Sequence, residues 1–172
     1  MPSRPERITV TVFADPLSRF CREILAALGT PESHARVVGD SLVAANVRGV
    51  DSHGIQMLAT YIQQVRAGGV NVAAAGHVTK EDGVCLHYCG DNGFGQVVSD
   101  RCTDHSIRIG RALGVSVVVA NHSNHFGAGA WWGEKLARAG FIGIAMSNAC
   151  PAVRTPGTRA CEIGSARVGH PR

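Results

Sequence analysis

Apolar positions recur along this chain with two different periods, and the change from one to the other divides it. Ile8, Val10 and Val12 alternate with Thr9 and Thr11, which predicts a short strand. Asp15-Pro16 then reads as the N-cap and first residue of a helix. Leu17, Phe20, Cys21, Ile24, Leu25 and Leu28 follow at helical spacing on one face, and Gly29 closes the segment. Thr30-Pro31 opens a second helix, with Ala35, Val38, Leu42 and Ala45 on its stripe, ending near Arg48-Gly49. A third is predicted to begin at Asp51-Ser52 and to carry Ile55, Leu58, Tyr61, Ile62 and Val65 to Gly68-Gly69.

Beyond residue 72 the pattern changes. Residues 76–89 predict a hairpin turning at Glu81-Asp82-Gly83, and the glycine-rich stretch 90–95 leads into a helix marked by Val98, Cys102, Ile109 and Leu113. Val115 to Ala120 is a continuous apolar run, the signature of a strand covered on both faces. A loop over 121–129 precedes a helix to about Ala139, and Phe141 to Met146 predicts a further strand. Helices followed by alternating strands and helices predict an α/β fold with a mixed sheet. The expected divisions are a helical part over 1–72, an α/β part over 73–153, and a tail over 154–172. The tail shows neither period.

Composition narrows the function classes. With 45% hydrophobic residues in 172, the chain is expected to bury a core rather than stay disordered. No apolar run approaches the ~18 residues that cross a bilayer, and the first twenty residues lack a secretory pattern, so a cytoplasmic location is expected. Four arginines and one glutamate fall in residues 154–172, so that stretch holds +3 of the +4 net charge. The body is nearly neutral and the tail has no aromatic residue, which argues against nucleic-acid binding. Six cysteines without a C-x-x-C pair read as reduced thiols. Cys85, His87 and Cys89 share one strand face, where burial in a core competes with metal ligation.

Two segments concentrate ionisable side chains. In Arg48-Gly-Val-Asp51-Ser52-His53-Gly54 a histidine falls in the first turn of the predicted third helix, where unpaired N–H groups favour anions and a neutral imidazole. The alternative is that Asp51 and Ser52 merely cap the helix and His53 is an exposed first-turn residue. The second segment, Asn121-His122-Ser-Asn-His125-Phe126-Gly127, follows a predicted strand, where α/β proteins bind ligands. Gly127, Gly129 and Gly133 do not make a Rossmann fingerprint. The first glycine comes seven residues after the strand, and the next strand ends in Ser147-Asn148 rather than in an acid. His122-x-x-His125 could hold zinc, but the carboxylate that metal hydrolases place within such a pair is missing.

Taken in order, Arg48 to Gly54, Tyr61, Gly68-Gly69, Gly90-x-x-Gly93-x-Gly95-Gln96, Asn124-His-Phe-Gly127 and Gly140-Phe-Ile-Gly143 with Asn148 resemble the malate/L-lactate dehydrogenase family. The resemblance runs from about residue 8 to 153. It implies a non-Rossmann α/β fold of the sulfolactate dehydrogenase type, an NAD or NADP cofactor, a 2-hydroxy or 2-keto acid substrate, and a homodimer. By that resemblance His53 and His125 are the acid–base candidates, and Ser52 positions substrate. Phe126, Gly127, Asn148 and Ala149 approach the nicotinamide half of the cofactor, and no metal is implied. Met57 stands where many members carry an arginine for the substrate carboxylate, so Arg48 or a residue beyond this chain is the candidate substitute. The tail suggests a frameshift or truncation near codon 154. Two other readings remain open: an inactive fragment serving at most in dimerisation, and a small metal hydrolase using Cys89, His122 and His125.

Overall fold

The computed structural model describes residues 10–148 and a short strand at 167–169. Helix α1 spans Ala14–Ala27 and α2 spans Glu32–Val47. They pack through Cys21, Leu25, Ala35, Val38 and Leu42, all almost wholly buried, the stripes that helical spacing selects. Each such leucine or valine adds about 1.5–3 kcal/mol of burial. Two expectations at the N-terminus change. Residues 10–12 form no strand: Val10 and Val12 are exposed, because alternation without a partner ladder holds nothing; Ile8 and Thr9 lie outside the described residues. Phe13, not Asp15, is the N-cap, and Asp15 sits inside the first turn, where its charge suits the helix end.

The third predicted helix divides in two. Asp51–His53 is a single 3-10 turn, Gly54 is extended at φ −91° and ψ −151°, and helix α3 runs only over Met57–Arg66. The break arises because Gly54 approaches Asn46 so closely that a Cβ would collide with the Asn46 amide. His53 therefore does not occupy the N-terminus of an α-helix, and the macrodipole expected there is absent.

Strands β1 (His77–Asp82) and β2 (Cys85–Cys89) form the expected antiparallel hairpin. Helix α4 (Gly95–Leu113) then crosses to β3 (Val117–Asn121), which pairs parallel with β2, giving the mixed sheet order β1-β2-β3. Helix α5 covers Gly129–Arg138. Strand β4 (Ala145–Ser147) is shorter and later than the apolar run suggested, and it pairs antiparallel with β5 (Arg167–Gly169), inside the stretch expected to lack pattern.

Two cores share α4. Val97 joins the helical cluster with Phe94, Leu58 and Tyr61, while Val98 and Ile109 face Leu86 and Tyr88 of the sheet. The sheet is covered on one face only among the described residues. Val118 packs partly against α4, whereas Val117 and Val119 are each about half exposed, at 50% and 52%. The expectation of a strand buried on both faces is thus corrected.

Candidate active site

The seam between the two cores is where His53 and His125 meet. His53 arrives on the 3-10 turn, which Asn46 of α2 holds from below. The Asn46 Oδ1 accepts from the Ile55 N–H at 2.7 Å and its Nδ2 donates to Asp51 at 2.6 Å. The Ser52 hydroxyl lies 2.9 Å from His53 Nδ1. His125 arrives on the loop after β3. Its backbone lies directly on the first turn of α4, because Gly95 has no Cβ; one there would overlap the carbonyl oxygens of Asn124 and His125. Asn124 anchors the same loop by donating to the carbonyls of Asn92, at 3.1 Å, and Gly93, at 2.9 Å. The two imidazole rings end 5.4 Å apart, tilted by 36°.

Behind His125 stands a buried polar pair. The Tyr61 hydroxyl lies 2.7 Å from His125 Nδ1 and accepts a 2.6 Å hydrogen bond from Gln96 Nε2. Gln96 is fully buried, and its Oε1 has no hydrogen-bond partner among the described residues. Burial pushes the Tyr61 hydroxyl up to about 12, against the opposing hydrogen bond from Gln96, so it stays protonated at neutral pH. The arrangement can orient an imidazole and hold one of its nitrogens while the other exchanges a proton.

Other expected residues fall elsewhere. Arg48 caps α2 and pairs with Glu134 of α5, which also binds Arg138 at 2.7 Å. Its cleft lies between α1, α2 and α5, and neither histidine lines it. Met57 opens α3 and packs against the helical core. Phe126 accepts a 2.9 Å hydrogen bond from the Trp132 indole at its carbonyl, Gly127 is buried at φ +78°, and Asn148 is exposed just past β4. Ala149 lies outside the described residues. His122 and His125 part company: His122 Nδ1 lies 3.6 Å from Cys89 Sγ while His125 turns to Tyr61, so the spacing does not make a metal pair of them. Sequence reading overlooked Tyr61 and Gln96 as site residues, because an apolar stripe and a glycine-rich turn accounted for both. A glutamine between Gly95 and two buried valines was the available signal.

The model of the malate/L-lactate dehydrogenase family matches residues 12–168. This chain belongs to that family. A malate dehydrogenase from Pyrococcus abyssi is 36% identical over 148 residues, covering 86% of this chain and 41% of the relative. Among solved structures, malate dehydrogenase from Pyrococcus horikoshii superposes with a TM-score of 0.88 at 36% identity, over 92% of this chain and 46% of that one. Sulfolactate dehydrogenase from Methanocaldococcus jannaschii gives a TM-score of 0.86 at 28% identity, over 90% and 45%. The expected sulfolactate dehydrogenase-like α/β fold is therefore borne out, and the chain spans less than half the length of these members of the malate/L-lactate dehydrogenase family. The family match also continues past residue 153, where the motifs stop. Among the described residues no helix is long and apolar enough to cross a membrane.

Proposed function

We propose that the chain carries the acid–base site of an NAD(P)-dependent oxidoreductase acting between a 2-hydroxy acid and its 2-keto acid, with His125 as the main proton carrier. The observation that supports it most is the histidine pair 5.4 Å apart, with His125 Nδ1 engaged by Tyr61. A bound nicotinamide would accept hydride from the substrate carbon or return it. The residues present suit that group. Asn148 offers an exposed amide, with both the donor and the acceptor that a carboxamide needs, and Gly127 brings backbone without a side chain beside the histidine loop.

The chain's own part is the proton. With Nδ1 on Tyr61, His125 Nε2 takes the hydroxyl proton as the alcohol becomes a ketone. That requires Nδ1 to carry a proton throughout, donated to the neutral Tyr61 oxygen in the neutral imidazole and in the imidazolium alike. In the opposite direction Nε2 returns the proton to the carbonyl oxygen. Ser52 orients His53 through its Nδ1, and His53 binds the substrate oxygen from the other side. A homodimer is retained from the family resemblance, and light scattering reads it directly. An inert docking piece is not favoured, because such a role would not require a buried hydroxyl and amide aligned behind an imidazole.

NADH and NADPH oxidation with a panel of 2-keto acids tests the proposal. His125→Ala is expected to lower turnover by about a hundredfold or more and His53→Ala by less. Full rates in both variants would refute it.

A further inference from the structure

One end of the three-stranded sheet gathers metal-ligating side chains that the hydride chemistry does not use. His77 on β1 lies directly opposite Cys89 on β2, and Cys89 lies beside Asn121 on β3, so the ladders put these three in one row, with His122 following just past the end of β3. Asp91 follows Cys89 by two residues. Its carboxylate is 2.8 Å from His77 Nδ1 and 3.3 Å from Cys89 Sγ, and Cys89 Sγ is 3.6 Å from His122 Nδ1. Ligand atoms of His77, Cys89 and Asp91 all fall within 4.8 Å of one another. The backbone fixes this row: Gly90 N–H donates to Asn121 O at 2.9 Å, and Asn92 N–H donates to His122 O at 2.8 Å.

We propose that His77, Cys89, Asp91 and His122 form a binding site for a zinc-type divalent cation. One thiolate, two imidazoles and one carboxylate make a borderline-soft donor set, which suits zinc and not magnesium or calcium. One edge of a tetrahedral site is already in place, and a second must open. With metal–sulfur and metal–nitrogen bonds of about 2.3 and 2.05 Å, a tetrahedron has a sulfur–nitrogen edge of about 3.6 Å. Cys89 and His122 already show that separation. The corresponding nitrogen–oxygen edge is about 3.4 Å, so the His77–Asp91 contact opens by about 0.6 Å as the cation enters between them. Both side chains are exposed enough to do so, at 58% and 42%. His122 lies outside the 4.8 Å group and completes the set by turning its ring from the Asn121 Oδ1, 3.2 Å from its Nδ1. Binding releases the Cys89 thiol proton to solvent and involves no redox step. The cation would clasp the hairpin to the loop that carries His125, three residues beyond His122, and its role is structural.

Cobalt(II) titration of the full chain under reducing conditions tests this without reference to hydride transfer. One equivalent is expected to give thiolate-to-cobalt charge transfer and strong tetrahedral visible bands, displaced by zinc. Cys89→Ser should abolish the charge-transfer band, and His77→Ala and His122→Ala should each weaken binding about tenfold or more. Cys85→Ser, an exposed thiol on the same strand, should change nothing. A zinc-dependent rise in Tm, reversed by chelator, provides a second measurement that needs no variant. Absence of charge transfer, its survival in Cys89→Ser, or a Tm indifferent to zinc would each overturn the assignment.

Discussion

Replacing Tyr61 with phenylalanine deletes one oxygen and two hydrogen bonds while keeping the ring that meets Phe94 edge-on at 6.1 Å. The two partners respond differently. His125 is exposed, so its Nδ1 passes to water at little cost to stability. Gln96 has no such outlet. It is fully buried with Oε1 already unpartnered, and the substitution strips its Nε2 of Tyr61 as well. A buried polar group left without a partner costs about 1–3 kcal/mol, which is the expected loss for Tyr61→Phe. Gln96→Met takes one of two partners from the Tyr61 hydroxyl, which keeps His125, and should cost less, about 0.5–1.5 kcal/mol. Combining them leaves neither group stranded, so the double variant should be more stable than the sum of the singles by about 0.5–3 kcal/mol. Urea midpoints at constant m for the four proteins measure this coupling. Additivity within about 0.5 kcal/mol would show that the two side chains do not form one unit, and the account of His125 would fall with it. Activity separates positioning from stability: both singles should lower kcat about tenfold or more with KM little changed, because a tilted imidazole spoils geometry and not binding.

Gly95→Ala should leave α4 intact, since alanine favours helix, yet displace the 124–125 backbone that its Cβ would overlap. The expected result is a tenfold or larger loss of turnover with near-native circular dichroism, and a fully active variant would refute the close packing. Alkaline stability follows from three buried groups. Burial raises Cys21 to about 11, despite an opposing backbone hydrogen bond, and raises Cys102 to about 12; Tyr61 likewise reaches about 12. The unfolded chain loses these protons near the ordinary values of 9 and 10, while the folded chain keeps them. Stability is thus complete below about pH 9 and drains away as pH climbs toward 12, which Tm against pH reads directly. A flat Tm between those limits would contradict the burial.

Local periodicity was enough to place α1, α2 and α4, because each buries a stripe against a neighbouring element, and the turn residues placed the hairpin, of which only β2 buries side chains. It failed where a distant contact decides the backbone. Gly54 breaks the third helix because of Asn46, eight residues away in another helix, and a hydrophobic stripe carries no trace of that approach. The apolar run ending in β3 fell short for a related reason. Period and composition report what a strand can bury, and Val117 and Val119 stay half exposed where nothing described covers them.

The same distinction governs the site. His53 and His125 stood out because histidines beside glycines on loops have no packing explanation, whereas Tyr61 was concealed by fitting an apolar stripe well. That concealment follows from what the position requires. A hydroxyl that holds an imidazole from behind without competition from water sits in the core, and burial puts it on a core-facing helical position like any leucine. Only a second buried polar group reveals it, and Gln96 supplies one from the far side of the core. An isolated buried glutamine would be destabilising in either cluster. Paired with Tyr61 it ties the helical core to the first turn of α4, where the His125 loop also rests. Loosening any one of Gly95, Gln96 or Tyr61 should therefore disturb the same imidazole, although the three lie on two helices and it is the Tyr61 hydroxyl that meets it.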